Sequence, residues 1–119
     1  MVAIPLVAHE ALSTAYINDV DGLGVFARQL SGFGCPRDVF LGISTSGNSK
    51  NVMSAIVVAR ALGIEVIGLT GAKGGELASV ADVAVKVPEM ETYRIQELHL
   101  PVYYCWCLML EDKFFGGNR

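Results

Sequence analysis

Four hydroxyl side chains crowd into one short stretch: Ser44, Thr45, Ser46 and Ser49, with Gly47 and Asn48 between them. An apolar run, Val39 to Ile43, leads into the stretch, and an apolar-periodic segment leaves it at Lys50. The pattern is strand, hydroxyl-rich loop, helix. In a parallel α/β unit such a loop sits at the C-terminal edge of the sheet, where ligands bind. The first N–H groups of a helix lack intrahelical partners, and the helix dipole favours negative charge at that end. With the hydroxyls and a flexible Gly47, the loop suits an anion such as a phosphate monoester. It carries neither a P-loop lysine nor Gly-x-Gly-x-x-Gly, so a nucleoside triphosphate or a dinucleotide is not the expected ligand. The same residues also make good caps and turns, and both readings stand at this point.

Other polar residues offer less. Lys50 and Lys73 flank loops and read as solvated surface cations, although either could attract a phosphate. Arg94 could clamp an anion, or pair with Glu91 or Glu97. Asp82, between a helix and a strand, is turn chemistry. Cys35, Cys105 and Cys107 are an odd number without secretory features. They read as reduced core residues of a cytoplasmic protein, not as a metal site.

The elements that must position the loop follow from periodicity. Short apolar runs predict strands near Ile4, Val39, Ile64 and Val83, the one at Val39–Ile43 buried on both faces because it does not alternate. Helices are expected from His9 to Ile17, Gly24 to Phe33, Lys50 to Leu62, Glu76 to Ala81 and Tyr93 to Phe115. The turn Asn18-Asp19-Val20-Asp21-Gly22 separates the first two. Gly63 stops the third in the usual C′ position. Thr92 is the expected N-cap of the last helix, and Pro101 predicts a kink near Glu97. Gly116 to Arg119 should fray. Alternating strands and helices imply a three-layer αβα sandwich around a parallel sheet, in a single domain spanning 1–119.

Composition narrows the function classes. Hydrophobic residues make up 52% and charged residues 18% of the chain, and the mean hydropathy is +0.45. So apolar a small chain has too little polar surface to cover itself, which predicts an oligomer. A net charge of −3 offers no basic face for nucleic acid. Leu100 to Leu110 is too short for a membrane span and reads as a buried or interface helix, with Trp106 in an interface core.

Residues 38–49, Asp38-Val39-Phe40-Leu41-Gly42-Ile43-Ser44-Thr45-Ser46-Gly47-Asn48-Ser49, resemble the core of the sugar isomerase (SIS) domain. Arg94-Ile95-Gln96-Glu97-Leu98-His99 after Val87-Pro88, and Asn18-Asp19 before Val25-Phe26-Ala27-Arg28-Gln29, resemble its phosphoheptose isomerase branch. That branch interconverts sedoheptulose 7-phosphate and glycero-manno-heptose 7-phosphate. The resemblance implies a flavodoxin-like parallel sheet. It implies that Ser44, Thr45, Ser46 and Ser49 hold the phosphate, and that Asn18 and Asp19 contact the sugar. Gln96 would touch substrate and be a zinc ligand. Homotetramers with sites at subunit contacts are implied too.

The departures from that family pattern bear on catalysis. The family's first strand, its Gly-Asn-Gly-Gly-Ser-type loop and a helix bearing a His and a Glu have no counterpart here, so the chain reads as N-terminally truncated relative to the family. The resemblance also implies a catalytic, zinc-binding histidine eight residues after the glutamine, where this chain has Tyr104. His99 points to the other side of the helix and is expected to be a packed or capping histidine. Tyr104 reads as an interface residue. Eight residues span about 12 Å of helix, so one metal takes both positions only if Gln96 lies in the first turn or the ligands come from different subunits. Without the first strand, the strands near Ile4 and Val39 must close up, or a partner must fill the gap. The expected function is thus a phosphosugar isomerase of the phosphoheptose type with an incomplete zinc site. The alternatives are a non-catalytic phosphosugar-binding module and a protein-binding one, as in the related replication-initiator-associating protein.

Overall fold

The computed structural model describes residues 1–116, and the end of the expected frayed tail lies outside the described residues. In chain order it contains α1 (Glu10–Asp19), a 3-10 turn (Gly22–Gly24), α2 (Val25–Phe33), β1 (Val39–Ile43), α3 (Lys50–Ala61), β2 (Glu65–Thr70), α4 (Gly75–Val80), β3 (Val83–Lys86) and α5 (Thr92–Phe115). The strands form one parallel sheet in the order β1-β2-β3, within a three-layer α/β arrangement. Phe40 pairs in register with Val66, and Gly68 with Ala84.

The core lies between the sheet and α3. Val52, Ala55, Ile56 and Ala59, at helical spacing, present one apolar stripe to Phe40, Ile64 and Val66, with Leu30 of α2 and Leu77 of α4 closing the cluster. Gly63, at φ 73°, ends α3 as the sequence predicts. Asp82 ties three elements together. Its carboxylate accepts from Arg60 Nη1 of α3 and from the Val66 N–H of β2, both at 2.7 Å. First the Arg60 hydrogen bond and then the Val66 N–H hold its carboxyl below the ordinary value of 3.8.

Several expectations are corrected. The sheet has three strands, not four: the segment near Ile4 pairs with nothing. Pro5 has no N–H to give a ladder, and its carbonyl instead accepts from Ala8 N–H in a turn, while Leu6 packs partly against the core. Asn18 and Asp19 belong to the last turn of α1 and not to a loop. β1 is buried on one face only. Phe40 and Gly42 face the core, whereas Val39, Leu41 and Ile43 are 56%, 40% and 40% exposed. The Ser44 N–H bonds to the Leu69 carbonyl of β2. By strand alternation the backbone groups of Val39, Leu41 and Ile43 therefore face the open edge. Among the described residues no strand pairs with that edge, so the expected closing-up does not occur.

α5 begins at Thr92, with Glu91 as its N-cap, and remains helical through Pro101. Only Ile95 and His99 are buried along it, and both lie in its first turns. Beyond them the helix stands clear of the sheet, so Leu108, Met109 and Phe115 are more than half exposed and Trp106 is half-buried. For the same reason Cys105 and Cys107 are exposed rather than core residues, as is Cys35 in the turn before β1.

Candidate functional site

The C-terminal ends of the three parallel strands open into one cleft of about 280 Å³. The loop after β1 supplies Thr45, Ser46 and Asn48; the turn after β2 supplies Ala72 and Lys73; the segment after β3 supplies Glu89, Met90 and Thr92. This is where parallel α/β sheets place ligands.

The loops are locked at the backbone. Gly71 N–H donates to the Thr45 carbonyl at 3.1 Å, and Leu77 N–H to the Gly47 carbonyl at 2.8 Å. Glu76 N–H donates to Asn48 Oδ1 at 2.9 Å, and Ala72 N–H to the Glu89 carbonyl at 3.0 Å. Gly47 lies at φ 71°, and a Cβ on it would stand 1.9 Å from the Gly74 carbonyl oxygen. No other residue fits there.

The four hydroxyls divide into two pairs. Ser44 is buried, its Oγ lies 2.7 Å from Ser49 Oγ, and it accepts from Gly47 N–H at 3.1 Å. These contacts shape the loop from inside, and neither Ser44 nor Ser49 lines the cleft. Thr45 and Ser46 do. The Thr45 hydroxyl has no hydrogen bond among the described residues, and Ser46 Oγ accepts only from Asn48 N–H, leaving its proton free. The cleft wall thus presents two hydroxyls whose protons are unengaged.

The remaining expected site residues lie elsewhere. Asn18 and Asp19 are exposed at the end of α1 and do not line the cleft. Their neighbour Ile17 lines a second, more apolar depression of about 240 Å³ with Val25, Phe26 and Asn51. Gln96 is exposed, one position past the cleft-lining Ile95. Tyr104 is 64% exposed, eight residues further along α5. His99 is fully packed: it is 1% exposed, its Nε2 lies 3.1 Å from the Thr70 carbonyl, and its ring meets Tyr103 edge-on. Burial pushes the Tyr103 phenol above its ordinary value. Arg94 pairs with neither Glu91 nor Glu97; its Nη1 lies 3.9 Å from Glu89 Oε1.

Zinc does not fit this donor set. Among the described residues no group of three His, Cys, Asp or Glu side chains comes together. Gln96 brings one neutral oxygen and no charged companion, and His99 Nε2 is already engaged.

Glu89, Met90 and Thr92 line the cleft, although the sequence pointed only to Thr92, and as a helix cap. The available signal was topological: a segment following a parallel strand ends at the same sheet edge as the hydroxyl loop.

The fold and this cleft define a parallel α/β unit with its candidate site at the strand ends, and comparison with known proteins gives the family. A model of the SIS domain matches residues 2–71, more than half of the chain, and the chain belongs to that family. The phosphoheptose isomerase of Sulfurimonas denitrificans is 44% identical over 116 residues, which are 98% of this chain and 60% of that protein. That of Geotalea daltonii is 43% identical over 117 residues, 98% of this chain and 61% of that protein. The solved phosphoheptose isomerase of Neisseria gonorrhoeae superposes with a TM-score of 0.85 at 40% identity, covering 88% of this chain and 60% of that one. For the enzyme from Francisella tularensis the TM-score is 0.88 at 35% identity, with 92% and 59% covered. The chain thus spans about 60% of the length of these relatives.

Proposed function

We propose that this chain is the phosphosugar-binding portion of an isomerase of the phosphoheptose type, taking sedoheptulose 7-phosphate or its aldose isomer. The observation that carries this reading is the pair of unengaged hydroxyls, Thr45 and Ser46, in the wall of the strand-end cleft. The likeness to phosphoheptose isomerases supports the choice of sugar.

The reaction of that class moves a proton between C1 and C2 through an enediol and needs a base and an acid beside the carbonyl. Among the described residues Glu89 is the carboxylate in the cleft wall, and no histidine joins it. Tyr104 and Gln96 lie outside the cleft. On this reading the chain alone binds a phosphosugar without turning it over, and zinc chemistry would need ligands beyond Gln96. An assay of the pure 119-residue chain with sedoheptulose 7-phosphate and added zinc tests this. No aldose product is expected; sustained product formation would overturn the non-catalytic half of the reading.

We also propose that the chain works as a homo-oligomer, a dimer or tetramer. The bare apolar surface supports this: Val39, Leu41 and Ile43 on the sheet, and Leu108, Met109 and Phe115 on α5. Three exposed, unpaired cysteines agree with a reducing compartment, and the cytoplasm is the proposed location. Among the described residues no helix is long and apolar enough to cross a membrane.

A further inference from the structure

We propose that Lys73 is the charged member of the anion cradle, its ammonium binding the same phosphate that Thr45 and Ser46 hydrogen-bond; this rests on the phosphosugar reading above. Three observations carry it. Lys73 lines the cleft together with Thr45 and Ser46. Its side chain has no hydrogen bond or ion pair among the described residues, so its charge is uncommitted. Though exposed, it sits in a turn held against the hydroxyl loop by its neighbours' backbone hydrogen bonds.

Lys73 sits in a turn whose flanks are bonded to the cleft wall, by Gly71 N–H to the Thr45 carbonyl and by Ala72 N–H to the Glu89 carbonyl. Just beyond it, Gly74 and Gly75 both adopt left-handed backbone, at φ 76° and 61°. A Cβ on Gly75 would stand 2.4 Å from the Ser46 carbonyl oxygen. The glycines thus let the lysine-bearing turn seat directly on the loop that carries Thr45 and Ser46, at backbone contact distance. The cleft's carboxylate, Glu89, makes no ion pair with the lysine; the cation beside it is Arg94, whose Nη1 lies 3.9 Å away. A phosphate entering between Thr45, Ser46 and Lys73 would gain an ion pair with the ammonium beside the hydroxyl hydrogen bonds.

The proposal is tested by calorimetric titration with sedoheptulose 7-phosphate, inorganic phosphate and unphosphorylated sedoheptulose. The chains compared are the unsubstituted one, Lys73→Met, Lys73→Arg, the Thr45→Ala/Ser46→Ala double variant and Lys86→Met. Lys86 is a control, since its stem lies over Gly74 but outside the cleft. The expected result is at least about a tenfold loss of affinity for both phosphates in Lys73→Met. Recovery in Lys73→Arg, no loss in Lys86→Met and an unchanged ligand-free Tm in all three lysine variants should accompany it. If the double variant loses binding while Lys73→Met binds as tightly as the unsubstituted chain, Lys73 has no such role and the phosphosugar reading survives. If Lys73→Met and Lys73→Arg lose binding equally and both lower the ligand-free Tm, the lysine is structural and the proposal fails. If the unsubstituted chain binds neither phosphate, both readings fall.

Discussion

Ser44 Oγ lies 2.7 Å from Ser49 Oγ, so two of the four hydroxyls that mark this loop face each other and not the cleft. The loop therefore has an inner pair that sets its shape and an outer pair, Thr45 and Ser46, that is open to a ligand. The two pairs should respond differently to the same substitution. Ser44→Ala removes a buried hydroxyl and leaves Gly47 N–H without its side-chain acceptor, at a cost of about 1–2 kcal/mol in urea unfolding. Thr45→Ala and Ser46→Ala should each change stability by less than about 0.5 kcal/mol. Equal costs at all three positions would contradict the division.

Gly47 offers a harder test of the interlocked loops. Its left-handed backbone and its approach to the Gly74 carbonyl leave no room for a methyl group. Gly47→Ala should destabilise the chain by at least about 2 kcal/mol and separate the turn after β2 from the loop after β1. Faster hydrogen exchange at Leu77 N–H, which donates to the Gly47 carbonyl, would report that separation. An unchanged exchange rate would mean that the loops are not coupled there.

Acid should weaken the fold partly through Asp82. Its folded-state pKa lies below the ordinary 3.8, through the hydrogen bond from Arg60 and then the Val66 N–H. A depressed carboxyl contributes stability that is present above the unfolded pKa and is lost as pH falls through the folded one. The urea midpoint of the unsubstituted chain should therefore fall more steeply below about pH 4 than that of Asp82→Asn. Parallel acid limbs would remove Asp82 from the account.

The sequence made the centre of this molecule legible and its margins illegible. The apolar stripe of α3, the stop at Gly63 and the hydroxyl loop between β1 and α3 are local patterns, and each stands within a residue or two of its expected place. The strand expected near Ile4 failed because a short apolar run becomes a strand only beside a neighbour, and here Pro5 starts a turn instead. The two-sided burial expected for Val39–Ile43, and the core cysteines on α5, failed for a related reason. Apolar sequence says that a surface wants covering, not that the same chain covers it. In the site, residue type located the loop, but only the folded chain separates Ser44 from Thr45, or brings Lys73 and Glu89 to the same cleft.

The strand-end cleft is proposed to bind a phosphosugar through Thr45 and Ser46. Its most direct test is the titration of sedoheptulose 7-phosphate into the 119-residue chain, followed by calorimetry. Saturable binding at one site per chain is expected. Thr45→Ala/Ser46→Ala should weaken it at least about tenfold without lowering the ligand-free Tm. Unphosphorylated sedoheptulose should not bind. No saturation at millimolar ligand, or equal binding of the unphosphorylated sugar, would contradict it.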